Sequence, residues 1–140
     1  MANRIFIDTS AFYAIIDKRD QAHSKAIPIW DALIESSDSE LCVSNGVISE
    51  TYTLIRYRLS FEIASEFLRI VGDYGILVFY SDTAVERNAY YWLEKYKDVK
   101  LSFVDAVSFQ IMKEHKIKHE FTFDNHFEIT GFYCLPLTSS

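Results

Sequence analysis

Four acidic residues, spread along the chain, are placed where they could act together. Asp8 directly follows the β-rich run Ile5-Phe6-Ile7, and Asp124 directly follows Phe121-Thr122-Phe123. Glu50 lies among Ile48, Tyr52 and Leu54, and Asp105 among Val104, Ala106 and Val107. Carboxylates with such apolar neighbours are partly desolvated, and four of them in one low-dielectric pocket would repel one another and rise in pKa. A hard divalent cation removes that conflict, and an oxygen-only donor set selects Mg²⁺, Mn²⁺ or Ca²⁺ over zinc or copper. Each acid also has a purely structural reading. Asp8 suits the N-cap of a helix starting at Thr9, and Asp105 the fourth place of a capping box begun by Ser102. Asp124 suits the cap of a short helix ahead of Gly131, and Glu50 a solvated helix position.

Whether the acids can meet depends on the elements that carry them. Arg4–Ile7 reads as a first strand, 9–17 and 22–34 as helices, and Leu41-Cys42-Val43 as a short buried strand. Ser44-Asn45-Gly46 offers caps for a helix over 47–59, and Ser60 caps a helix carrying Phe61, Ala64, Phe67, Leu68 and Val71, closed by Gly72 and Gly75. Next come a strand over 76–79, a helix from Asp82 to about Tyr96 capped by Ser81, and a helix over 103–114 capped by Ser102. Strands over 119–123 and 132–135 complete the pattern. Short strands alternating with helices predict a mainly parallel sheet covered on both faces, with right-handed crossovers. Ligands of such sheets bind beyond the carboxyl ends of the strands. Asp8 and Asp124 fall at strand ends, and Glu50 and Asp105 in the first two turns of helices that start on that side, so the four can converge at one edge.

Composition sets the outer limits. At 140 residues, 49% hydrophobic and 24% charged, the chain reads as one domain over 1–140 with a core of its own, not as a disordered segment. Four glycines and two prolines argue for long regular elements. No stretch approaches the length of a membrane span, and the start MANRIFID lacks the features of a signal peptide, so a cytoplasmic protein is expected. Cys42 and Cys134 show no metal-ligand spacing and read as two thiols in a reducing compartment. The net charge of −6 argues against a nucleic-acid partner only until acids are committed to cations.

The segments 6–11 (Phe-Ile-Asp-Thr-Ser-Ala), 43–50 (Val-Ser-Asn-Gly-Val-Ile-Ser-Glu), 101–106 (Leu-Ser-Phe-Val-Asp-Ala) and 122–127 (Thr-Phe-Asp-Asn-His-Phe), with Gly131-Phe132 beyond, together resemble the PIN domain. Within it the chain looks most like the VapC-type toxin ribonucleases of type II toxin–antitoxin systems, in order and spacing over nearly its whole length. Asp20-Gln21-Ala22-His23-Ser24-Lys25-Ala26 resembles a further segment of that family. The resemblance implies a three-layer α/β/α sandwich with a short, mainly parallel central sheet. It implies that Asp8, Glu50, Asp105 and Asp124 are both the catalytic residues and the ligands of one or two Mg²⁺ or Mn²⁺ ions, and that RNA is hydrolysed. The polar residue after the first acid maps onto Thr9 and Ser10, of which Ser10 is the favoured substrate contact. Many relatives carry another acid two positions after the fourth, where this chain has His126, which weakens the expectation of a second ion.

Hydrolysis of a phosphodiester needs an in-line water and a neutralised leaving oxygen, which metal ions supply. In this reading Asp8 and Asp105 are the inner ligands, Glu50 and Asp124 complete the shell, and one of the carboxylates orients the water. Lys18, Arg19, Lys25, Arg56, Arg58, Lys113, Lys116 and Lys118 are candidates for phosphate contacts. The apolar helices over 47–59 and 60–71 suggest a homodimer face or a groove for a partner helix; the resemblance makes that partner an antitoxin whose C-terminal segment blocks the acids. Tyr90, Tyr91 and Trp92 are consecutive, so at least one should be exposed. An aspartyl phosphotransferase would want an acid at position 10, and a dinucleotide fold a glycine-rich first turn; neither is present. The remaining rival is a catalytically silent PIN-like module that binds a partner protein or RNA. Replacing Asp8 by Asn is expected to abolish metal-dependent RNA cleavage while leaving thermal stability unchanged or raised. A cleavage assay paired with a thermal melt checks both, and a large fall in melting temperature would count against a ligand role.

Overall fold

Two neighbouring parallel strands end side by side in the sheet, and the acids gather beyond those ends. The computed structural model of the chain describes residues 3–136. Its elements are β1 (Asn3–Ile7), α1 (Thr9–Ile16), α2 (His23–Glu35), β2 (Ser39–Ser44), α3 (Asn45–Arg58), α4 (Phe61–Asp73), β3 (Leu77–Phe79), α5 (Thr83–Lys95), α6 (Phe103–Glu114), β4 (His119–Phe121), a 3₁₀ helix (Asn125–Thr130) and β5 (Tyr133–Leu135). The five strands form one sheet in the order β3-β2-β1-β4-β5, every pair parallel. Parallel strands require crossovers, and right-handed crossovers put α1 to α4 on one face and α5 and α6 on the other. The α/β architecture expected from the sequence is therefore the one found. Chain direction across the sheet reverses between β1 and β4, which is where an open parallel sheet leaves a crevice at its carboxyl edge.

Burial on both faces explains why β1 and β2 read as unbroken apolar runs: Ile5, Phe6, Ile7, Leu41, Cys42 and Val43 are all buried. Phe12 and Phe67 pack edge to face beneath α1 and α4, and Trp92, Phe109, Phe127 and Phe132 form an aromatic cluster on the α5–α6 side. Trp92 is buried whereas Tyr90 and Tyr91 are exposed, as three consecutive helical residues require. Both cysteines are free. Among the described residues no helix is long and apolar enough to cross a membrane.

The structure differs from the sequence reading at several boundaries. Asp82, not Ser81, caps α5: its carboxylate accepts the Val85 N–H at 2.9 Å, while the Ser81 N–H donates to Asn45 Oδ1 at 3.1 Å. Strand β4 ends at Phe121, not Phe123, because the Phe123 N–H donates to Ser10 Oγ at 2.9 Å, a side-chain acceptor rather than a strand neighbour. Asp124 therefore stands three residues beyond the strand. Ser44 alone caps α3, two residues earlier than expected, and Gly72 lies inside α4, so only Gly75, at φ 63°, makes the left-handed turn. The single-domain reading over 1–140 extends at both ends past the described residues.

One core residue breaks the apolar rule. Glu120 is fully buried in β4, and among the described residues neither carboxylate oxygen has a hydrogen-bond partner. It pairs in register with Phe6 on one side and Cys134 on the other. Burial, then the charge of Asp8, pushes its carboxyl well above the usual range. A folded-state pKa above the unfolded one contributes stability below the unfolded value that is lost as pH rises. Replacing Glu120 by Met, of similar volume, is expected to stabilise the protein at pH 7 by about 1–3 kcal/mol. The gain should shrink toward pH 4, where the acid is protonated in both states; denaturant melts at the two pH values measure it.

Candidate active site

The acids are held by helix starts. Asp8 is the N-cap of α1: Oδ2 accepts the Ser10 N–H at 3.3 Å and the Ser10 hydroxyl at 2.8 Å. Asp105 closes the capping box of α6, its Oδ2 accepting the Ser102 N–H at 3.2 Å while its own N–H donates to Ser102 Oγ at 3.0 Å. Asp124 caps the 3₁₀ helix, Oδ1 accepting the His126 N–H at 2.9 Å. The structural readings of these three residues are thus correct, and they do not compete with a role in chemistry. Each aspartate fastens one oxygen to backbone, and among the described residues no protein hydrogen bond uses Asp8 Oδ1, Asp105 Oδ1 or Asp124 Oδ2. Glu50 reaches the site from the second turn of α3. That approach is set where the starts of α3 and α6 meet: a Cβ on Gly46 would lie 3.7 Å from the Val104 side chain.

All four acids line one open cavity of about 490 Å³ at the carboxyl edge of the sheet, together with Thr9 and Ser10. Asp105, Asp124 and His126 each offer a ligand atom within 4.8 Å of the others; Asp8 and Glu50 stand outside this tightest group. Burial first, then the charge of Asp105, raises the Asp8 pKa to about 7, against the opposing hydrogen bonds from Ser10 and Thr122. Burial also raises Asp105, with Asp124 and Glu50 adding to the effect. Asp105 is thus coupled to each of the other three acids across the cavity. A set of desolvated, mutually repelling carboxylates with free oxygens fits a hard divalent cation. The imidazole of His126, with Nδ1 3.2 Å from Asp124 Oδ1, adds one nitrogen donor to that set.

Ser10 has a definite task. Its proton goes to Asp8, its oxygen receives the Phe123 N–H, and it lies 3.2 Å from Thr122 Oγ1. Thr9 lines the cavity with a buried hydroxyl that has no partner among the described residues. Of the basic candidates, Arg58 reaches the cavity, its guanidinium 5.3 Å over the Tyr13 ring. Lys18 and Arg19 line an adjoining cavity that shares Arg58. The structure leaves Lys113, Lys116 and Lys118 away from the acids, around a separate cleft. Sequence reasoning missed Thr122, whose hydroxyl donates to Asp8 Oδ2 at 3.0 Å and accepts the Asp124 N–H at 2.9 Å. Its place two residues before Asp124 was the available signal. Lys100, Tyr13 and Asp20 also line the cavity without any such signal. Beside Glu50 an apolar groove runs along α3, lined by Leu54, Tyr57 and Val104, with Tyr57 86% exposed.

Known proteins resemble this chain in sequence and in fold. A family model described as PIN domain matches residues 5–133. The 23S rRNA-specific endonuclease VapC20 of Mycobacterium tuberculosis is 31% identical over 128 residues, covering 91% of this chain and 95% of that protein. The VapC ribonuclease of Archaeoglobus fulgidus is 30% identical over 128 residues, covering 88% and 78%. The crystal structure of VapC20, described as a sarcin-ricin loop cleaving toxin, superposes with a TM-score of 0.83 over 91% of this chain and 95% of that one. VapBC2 of Rickettsia felis, bound to a promoter DNA fragment, superposes with a TM-score of 0.69 over 94% and 96%; at 12% identity this speaks for the fold alone.

Without divalent cations the repulsion must be met by protonation. Asp8 contributes stability that is fully present below pH 3.8 and lost as pH rises through about 7. The stability difference between Asp8→Asn and wild type in EDTA is therefore expected to grow between pH 4 and 7, by up to roughly 4 kcal/mol, and to narrow when Mn²⁺ is added. Denaturant melts across that range measure it; a pH-independent difference would remove Asp8 from the repulsive cluster.

Proposed function

The chain belongs to the PIN domain family, and from that premise we propose that it is a metal-dependent endoribonuclease, the toxin of a toxin–antitoxin pair. The observation that carries the reading is the convergence of Asp8, Glu50, Asp105 and Asp124 on one cavity at the switch point of the sheet. The two VapC relatives, at 30% identity or more over most of the chain, support the activity, and because VapC20 is a 23S rRNA-specific endonuclease, 23S rRNA is the first substrate to test.

In this proposal Asp8 and Asp105 hold the principal Mg²⁺ or Mn²⁺ ion, with Glu50 and Asp124 completing its surroundings and His126 beside them. The ion, when bound, activates water and neutralises the leaving oxygen. The chain's own residues do the rest. The Ser10 and Thr122 hydroxyls donate to Asp8 and favour its ionised form, so it is ready to accept a cation. The helix starts behind Asp8 and Asp105 present their positive ends to the carboxylates. Arg58 and Lys100 bring positive charge to the cavity wall, where the phosphates flanking the cut bond need it. One free carboxylate oxygen orients the water in line with the scissile phosphorus.

The groove beside Glu50 is proposed as the seat of the antitoxin, since an apolar segment laid there ends at the acids. The protein is proposed to work in the cytoplasm, as a homodimer.

The deciding experiment is a cleavage assay on total and ribosomal RNA, with new ends mapped by sequencing. Wild type with Mn²⁺ or Mg²⁺ should cut at discrete positions, and Asp105→Asn and wild type in EDTA should be at least a hundredfold slower. Equal cutting by Asp105→Asn would place the site elsewhere. Folded wild type that cuts nothing would favour the silent binding module.

A further inference from the structure

At the far end of α6 from Asp105 lies a second cleft, of about 440 Å³, with a character opposite to the acidic site. Its wall carries three lysines, Lys113, Lys116 and Lys118, all exposed, interleaved with Trp92, Phe132 and Tyr133. Tyr133 is 62% exposed, and the Phe132 ring packs against both Trp92 and Phe109, which also touch each other, on the α5–α6 side. In a chain of net charge −6, three cations around one aromatic cleft are a marked local reversal.

Helix termini explain part of this. Lys113 sits in the last turn of α6, where a cation suits the carbonyl end of the helix. Lys118 lies beyond the helix and gains nothing from it. Lys116 is the informative residue. It adopts φ 55° just past the helix end, the left-handed position where glycine or asparagine is the easy choice and a lysine costs about 1 kcal/mol. The turn itself is the helix's own termination, the Lys116 N–H donating to the Lys113 carbonyl at 3.3 Å and the Ile117 N–H to the Met112 carbonyl at 2.8 Å, so it is the choice of lysine there, not the turn, that asks for a reason.

We propose that this cleft is a second RNA contact, which holds a single-stranded stretch of the substrate away from the reaction centre. A base stacks on Tyr133, and the lysines engage up to three phosphates. The inference rests on the nuclease reading and extends it. Lys113 lies roughly 12 Å along the α6 axis from Asp105, a span of a few nucleotides. The two ends of one helix would then hold the cut phosphate and its anchor. An acidic peptide would answer the lysines but not the aromatic face, and so the observations favour RNA.

The test is a titration of ¹⁵N-labelled full-length protein in EDTA with hexauridylate, and separately with hexaglutamate. In EDTA the acids repel RNA, and so binding reports the cleft alone. Saturable shifts at Lys113, Lys116, Lys118 and Tyr133 are expected with RNA, with an affinity falling against salt at a log–log slope of about −2. Lys116→Gly should weaken binding about threefold or more and flatten the slope by about 0.7. It should also leave the melting temperature unchanged or raised, because glycine relieves the left-handed position. The Lys113→Ala/Lys118→Ala variant gives the same readout without touching that backbone. Absent shifts at the cleft, wild-type affinity in both variants, or a response to hexaglutamate alone would overturn the proposal. If hexauridylate binds the cleft while wild type with Mn²⁺ cuts no RNA, the nuclease reading fails and the cleft stands; cutting without cleft binding rejects the cleft alone.

Discussion

Negative charge drawn together in a half-dry cavity is the constraint around which this protein is arranged. Four acids come from elements that share only their direction, and the cavity they line is desolvated enough to hold Asp8 near pH 7. Such a cluster survives in a folded chain only if something else holds each carboxylate in place. Here that is the start of a helix. Three of the acids tie one oxygen to backbone N–H groups that would otherwise lack partners. The anchoring bond and the free oxygen are two halves of the same side chain, which is why capping a helix does not use up the carboxylate.

Asp8 is the point where the two sides of the switch meet. Its Oδ2 accepts from Ser10 on α1 and from Thr122 beyond β4, and Ser10 in turn accepts the Phe123 N–H. The pairing of β4 with β1 is therefore ended by the site itself: the Thr122 N–H still donates to Leu135 on β5, but the Phe123 N–H is taken by Ser10 of the neighbouring element. A loss at Ser10 or Thr122 would act through the position and charge of Asp8. Glu120 on β4, with no hydrogen-bond partner among the described residues, adds a further buried acid to the region, and the charges of Asp8, Asp105 and Asp124 help to push its carboxyl up.

Much of this was legible in the sequence because the signals were local or periodic. Unbroken apolar runs marked buried parallel strands, Ser60 and Ser102 marked helix starts, and Asp8 and Asp105 stood in cap positions whose direction the fold then fixed. The failures have local causes as well. Ser81 and Asp82 are both good caps, and the choice between them fell to Asn45, 36 residues away, which takes the Ser81 N–H. Nothing in His119-Glu120-Phe121 says that the glutamate points into the core, since its neighbours in register come from β1 and β5. Lys100 and Asp20 reach the cavity through loop paths that no period describes. Order and spacing of the four acids carried the family, whereas the second cleft, built from α5, α6 and β5, became visible only once those elements were packed.

The strand order also sets a schedule. Asp8 is made early, yet the hydroxyl of Thr122 that holds it and the last of the four carboxylates belong to a segment more than a hundred residues later. Because β1 lies between β2 and β4, the crevice has only one wall until β4 docks. A polypeptide still emerging from the ribosome thus carries an incomplete centre for almost all of its synthesis. Any chemistry that needs all four carboxylates must wait until residue 124 is free to fold back.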